Sequence, residues 1–429
     1  MSLSTAIVIT GAGAVCGAGR TIESIWSSIL NGKSAVGAIS QWDAGRWPVG
    51  VAAEVPEQDV HTLVEDRRLS KMVSRRDLFG LYAAGEAIRH SGVLSKREHL
   101  EGQSLAQFND RSGVFAGSGG GTFRSTYEFF PLLQQSGGDM ATFGSELEVT
   151  VDPMWLLRQL PNNVVCHVGI RHGFRGTNAC VTNQCVGGAM AVAEAAAALK
   201  AGEADRAVAV GHDAPIEPET VLHYYNLGLL APDSLRPFDR ARSGTVFGEG
   251  AGAVVLETAS EAVARGGSVL GELMGSGCVT EAKGIVELRT DGDGLARAIQ
   301  IALEDAEISP YEVGMVVAHG NGNPASDSSE ALALKLVFDG EPPPVTSFKW
   351  AFGHTLAASA TIDLVMTLKA LNEQVVPGIS TLNEVDPALR PLPVSSRPQR
   401  PRSKIALLCS RGFGGMNVAL LLRAGGSPS

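Results

Sequence analysis

The 429-residue sequence is 44% hydrophobic and 19% charged, which is enough apolar content to bury a large core and is unlike a disordered chain. Its formal charge of −10 excludes a general nucleic-acid binder, which needs a positive surface facing phosphates. The cysteines at 16, 166, 180, 185, 278 and 409 have neither paired C-x-x-C spacing nor the density of a small secreted scaffold, so a reducing cytoplasm is expected.

The apolar start TAIVITGAGAVCGAG lacks a basic leader and is broken by Gly11, Gly13 and Gly17, so it reads as a buried strand and turn rather than a secretion signal. Further apolar or β-branched runs close on glycine: RSGVFAGSGGG, ADRAVAVGHD, GAGAVVLE, VGMVVAHGNG and KIALLCSRGFGG. Each is predicted to be a buried strand. Helices are predicted after Cys185 (GGAMAVAEAAAALKAGEAD), near 294–308 and near 358–373. This alternation belongs to a layered α/β protein. Strands and helices recur on both sides of the middle, with a cysteine in the first half and two histidines in the second, which suggests a duplication divided as 1–257 and 258–429. The Pro-rich stretches 341–347 and 390–404 read as connections leading into strands. No run of about 20 apolar residues is present to cross a bilayer, so a soluble protein is expected.

The segment GFRGTNACVTNQCVGGAM places Cys185 directly before the alanine-rich helix. Unpaired N–H groups and the positive end of the helix dipole favour a thiolate there, and Gly187 and Gly188 leave room for a thioester. A lone cysteine, taken by itself, is more often a packing thiol. Cys180, in the strand-like approach, is assigned to packing, and Met190 to core filling. His319 follows VGMVVA and opens the turn HGNGNPASD, while Lys349 and His354 stand five apart in SFKWAFGH.

These motifs together resemble the elongating β-ketoacyl synthases of fatty-acid and type II polyketide assembly, within the thiolase superfamily. The resemblance rests on Arg175-Gly176 nine residues before Cys185, on GEAD, on RPFDRARSGTVFGEGAGAVVLE (236–257), and on AHGNGNPASD, KWAFGHTLAASA and SRGFGGMN in family order. Several motifs in one order are a far more specific signal than one glycine motif. The resemblance implies a thiolase-like fold of two pseudo-duplicated halves in five α-β-α-β-α layers. It also implies an acyltransferase that performs decarboxylative Claisen condensation with a malonyl thioester. Cys185, His319 and His354 then form a Cys-His-His triad accompanied by Lys349. Phe413 gates the acyl pocket and shares the oxyanion hole with Cys185, and Asp363 orders the lysine. No metal and no organic cofactor is implied, because substrates ride on the phosphopantetheine of an acyl carrier protein. That acidic partner is expected on the basic run 67–77, through Arg67, Arg68, Lys71, Arg75 and Arg76, although such a run also reads as a solvated helix face. A homodimer, or a heterodimer with a related subunit, is implied as well.

Departures from the family pattern concern substrate contacts. Asn321 and Asn323 replace two threonines that touch the pantetheine arm, Gln184 replaces a small residue, and Arg411 stands where the family tail has phenylalanine. Gly120 falls where other members place a bulky residue against the acyl tail. Two rivals remain at this point. One is a non-catalytic chain-length partner, whose glutamine in place of cysteine is echoed by Gln184. The other is a thiolase, for which Cys409 would serve as second cysteine.

Overall fold

A computed structural model of the chain describes residues 6–60, 62–66, 68–119, 129–151 and 154–426. Gly120 and Arg67 therefore lie outside the described residues. Ten strands form one sheet: β1 (Ile7–Cys16), β2 (Ser112–Ser118), β3 (Asn178–Val181), β4 (Arg206–Asp213), β5 (Gly250–Thr258), β6 (Gly271–Thr280), β7 (Met315–Val317), β8 (Val345–Thr346), β9 (Ile405–Gly412) and β10 (Met416–Ala424). Their spatial order is β8-β7-β9-β10-β6-β1-β5-β4-β2-β3.

Read outward from the centre, each half repeats one pattern. In the first, β1 pairs antiparallel with β5, β5 antiparallel with β4, β4 parallel with β2 and β2 parallel with β3. In the second, β6, β10, β9, β7 and β8 follow in the same order with the same senses. The halves join through β1 and β6, where Ile7 faces Leu273 and Ile9 faces Gly271.

Helices complete the layers. Helix α1 (Arg75–Ser91) packs on β1, β5 and β4, and α3 (Asp293–Asp305) packs on β6 and β10 beside α4 (Pro324–Val337). Between the sheet halves run α2 (Gly187–Lys200) and α5 (Ser359–Glu373), each touching strands of both halves. The sequence shows why α5 is central: residues 359–368 are all buried, so it has no polar face to offer water. The resulting order is the expected α-β-α-β-α.

The predicted helices all appear, starting within a residue of the expected positions, although the first ends at Lys200 and the second at Asp305, short of the expected 205 and 308, and the apolar N-terminal run is the fully buried β1. Strand β3 is the strand-like approach that holds Cys180, whereas β6 and β10 were not anticipated. In β6, GELMGSGCVT mixes glycine with polar residues, and β10 follows β9 across the short turn Phe413–Gly415 without a separate loop. Among the described residues no helix is long and apolar enough to cross a membrane.

Candidate active site

The two central helices begin in the same way. Cys185 sits on a tight turn, Gln184–Val186, that feeds α2, and its predecessor Gln184 holds φ at 46°. In the other half Leu356, with φ at 43°, opens the turn Leu356–Ala358 that feeds α5. Left-handed backbone at a non-glycine residue is strained and persists only where surrounding contacts enforce it. One such contact is close packing of the two turns, since a Cβ on Gly188 would lie 2.5 Å from the Ala357 carbonyl oxygen. Another is the Gln184 side chain, whose amide N–H donates to the Gly119 carbonyl at 3.1 Å.

The expected thiolate is not favoured by this environment. Cys185 is only 6% exposed, and burial pushes its thiol up to about 12, with the nearby Asp213 carboxylate adding to the shift. Its own backbone N–H and Lys349 act in the opposite direction. Desolvation outweighs the helix N-terminus, so the resting Cys185 is a thiol.

His319 follows β7 on a turn clamped by a residue of α4. The carboxylate of Glu330 accepts the His319 N–H at 2.7 Å and the Gly320 N–H at 2.9 Å. The Arg411 backbone N–H donates to His319 Nδ1 at 3.3 Å, which leaves the imidazole proton on Nε2. His354 stands edge-on to His319 with ring centroids 5.2 Å apart, and its Nδ1 is 2.8 Å from the Ser359 hydroxyl. Burial holds both imidazoles well below their ordinary value, and the Lys349 charge lowers them further. Both are neutral at working pH, and a neutral imidazole can offer a hydrogen bond without carrying charge.

Lys349 and Asp363 form an ion pair of 2.6 Å in which each side chain is 1% exposed. Burial raises the Asp363 carboxyl while Lys349 pulls it back. The pair lies behind the histidines rather than on the cavity wall.

A cavity of about 260 Å³ gathers Cys185, His319, His354, Asn321, Asn323 and Phe413 on one wall. Asn321 Oδ1 accepts the Asn323 N–H at 3.0 Å, and Asn323 Oδ1 caps α4 by accepting from Ala325 and Ser326. With both Oδ1 atoms so engaged, the amide NH2 groups are the remaining donors of these two side chains. The Ser410 hydroxyl donates to the Cys185 carbonyl at 3.3 Å, which ties the end of β9, just ahead of Phe413, to Cys185. Gln184 is not on the wall, and neither is Cys409, which is buried in β9. Of Cys185, Gln184 and Cys409, only Cys185 lines the cavity.

Two expectations need correction. Arg411 borders the cavity, but its guanidinium is committed elsewhere: it donates to Glu281 at 3.0 Å, Asn417 at 2.9 Å, the Ser326 carbonyl at 3.0 Å and the Ser329 hydroxyl at 3.1 Å. It braces the wall and is not free to bind substrate. The basic run is also not one docking face. Arg76 is buried, Arg75 is bound to Glu249 and Glu57, and only Arg68 and Lys71 of the described cations stand in solvent.

Residue patterns alone did not reveal Glu330, Ser359, Glu281 or Tyr224. Glu330 was the most accessible to inference, because Asp327 and Glu330 lie three apart on α4 and point back at the His319 turn. Glu281 and Tyr224 meet the site from distant segments and carry no local signature.

The Beta-ketoacyl synthase N-terminal domain family matches residues 4–262, and the C-terminal domain family matches residues 270–383. Nodulation protein E of Rhizobium leguminosarum bv. trifolii is 32% identical over 424 residues, covering 97% of this chain and 98% of that relative. The 3-oxoacyl-(acyl-carrier-protein) synthase 2 of Synechocystis sp. is 29% identical over 425 residues, covering 97% of each. Among solved structures, the ishigamide ketosynthase/chain length factor superposes with a TM-score of 0.85 at 26% identity, covering 99% of this chain and 100% of that one.

Proposed function

The chain belongs to the β-ketoacyl synthase family, and from that premise we propose that Cys185 accepts an acyl group which is then extended by decarboxylative condensation with a malonyl thioester. The observation that carries this reading is the convergence of a buried thiol and two neutral imidazoles on one cavity, with the His319 proton fixed on Nε2.

In the first half-reaction the Cys185 thiol attacks the thioester carbonyl, and its proton leaves with the departing pantetheine thiol. The Cys185 and Phe413 backbone N–H groups hold the developing oxyanion, a type of contact worth about 3–4 kcal/mol per donor. In the second, the malonyl carboxylate leaves as carbon dioxide and its bonding pair passes to the α-carbon. His319 and His354 donate to the resulting enolate oxygen, and the carbon attacks the acyl-cysteine. The bond between the acyl carbon and the Cys185 sulfur breaks, and the released thiolate takes up a proton from solvent. No cofactor is needed, since decarboxylation supplies the electron pair. Lys349 keeps the histidines neutral by its charge, and Asp363 holds Lys349 in place.

An acyl carrier protein is the proposed donor of both substrates, with Arg68 and Lys71 as its remaining basic contacts. We also propose a dimer, with a second copy or a related chain. Among the described residues strand β3 ends the sheet, and the helix Met140–Thr150 buries none of its residues. Met140, Val149 and Leu156 stand 64%, 85% and 61% exposed, apolar side chains suited to a partner. The halves 1–257 and 258–429 act as one unit, and the cytoplasm is the proposed compartment.

The test is carbon dioxide release from radiolabelled malonyl carrier protein. Decarboxylation coupled to acyl transfer is expected, and exchange of acetyl-CoA alone would point to thiolase chemistry instead.

A further inference from the structure

We infer that the acyl group this enzyme loads on Cys185 carries an oxygen within its first few carbons, recognised by the hydroxyl of Tyr224. The inference rests on the ketosynthase reading above and narrows its substrate.

Tyr224 stands on the helix Pro218–Asn226, and its ring is part of the cavity wall shared with Cys185. The ring is wedged between Phe247, at 4.8 Å between centroids, and the gate residue Phe413, at 5.3 Å. Its phenolic oxygen is buried and has no hydrogen-bond partner. A phenylalanine would give the same packing without leaving a polar atom unmatched, so the hydroxyl is the feature to be explained. Asp213 is near but makes no hydrogen bond to it, and that carboxylate takes the Ala357 and Ala214 N–H groups at 3.3 and 2.9 Å. Burial, with Cys185 and Asp213 close by, pushes the phenol far above its ordinary value, so it stays a donor at every working pH.

The surroundings indicate what it donates to. Ile216, Val221, Phe247 and Leu356 pack as an apolar cluster with Cys185 and Tyr224, and Leu227, Leu229, Ile285, Val286 and Leu288 give the cavity an apolar stretch of lining that it shares with Tyr224. A second hydroxyl on the cavity wall, that of Thr245, is likewise buried and unpartnered. An aliphatic chain with a hydroxyl or ketone oxygen near the thioester matches this lining, whereas a saturated chain leaves the hydroxyls unsatisfied.

The experiment measures the initial rate of Cys185 acylation by intact mass, using octanoyl-, 3-hydroxyoctanoyl- and 3-oxooctanoyl-pantetheine with wild type, Tyr224→Phe and Thr245→Val. Wild type is expected to load the oxygenated chains about tenfold faster or more, and Tyr224→Phe to bring that ratio close to one. Thr245→Val should reduce the ratio less. Equal rates in wild type, as expected if the phenol only holds a water, would overturn the inference, as would a preference that survives in Tyr224→Phe. Loading of none of the three by wild type would remove the ketosynthase reading, and this inference with it, a result distinct from equal loading.

Discussion

A thiol at about 12 in the resting enzyme is poorly suited to react with anything that does not first bind beside it. Because the anion is the charged form that burial disfavours, the thiolate fraction rises about tenfold per pH unit below that value. Inactivation by iodoacetamide should therefore climb steadily with pH up to at least 10 in substrate-free enzyme, with no plateau near neutrality. A plateau below pH 8 would mean that the helix N-terminus wins over burial. The Lys349–Asp363 pair has a different vulnerability. Lys349→Ala leaves Asp363 charged and unpaired in the core, and should cost about 3–5 kcal/mol in urea unfolding. The double variant Lys349→Met/Asp363→Leu should recover most of that stability while condensation remains slow. Recovery of both would make the pair purely structural.

The elements around the site depend on contacts too close for an ordinary side chain. With the Gly188 Cβ position 2.5 Å from the Ala357 oxygen, Gly188→Ala must separate the turns that open α2 and α5. A loss of about 1–3 kcal/mol is expected by chemical denaturation, together with slower loading of Cys185. Unchanged stability would show that the turns can move apart freely. Glu330→Gln tests the clamp on the His319 turn: one side-chain atom then donates instead of accepting, so one of the two backbone bonds is lost. Malonyl decarboxylation should fall roughly tenfold to a hundredfold while acylation of Cys185 stays near normal. At this scale the sequence was informative where one residue type dominates a stretch. The alanine run of α2 and the apolar run of β1 identified themselves. The matched turns at Gln184 and Leu356 did not, because their left-handed backbone is imposed by packing and neither residue type advertises it.

For the whole molecule, the ordered motifs and the alternation of strands and helices were enough to expect two similar halves in five layers. The seam where β1 meets β6 was not readable, since it forms between strands more than 250 residues apart with no local signal at either. The basic run misled for a related reason. Charge counted along the chain cannot show that Arg75 and Arg76 turn inward on α1 while Arg68 and Lys71 stay outside. Substituting Arg68 and Lys71 with glutamate should raise KM for carrier-bound substrate without changing loading from a free pantetheine thioester, as measured by paired steady-state assays. The most direct test of the account as a whole is intact-mass analysis of the protein after incubation with a panel of acyl carrier thioesters, wild type beside Cys185→Ala. One acyl adduct on wild type and none on the variant is the predicted result. An unmodified wild type across a broad panel, or an adduct that persists without Cys185, would contradict it.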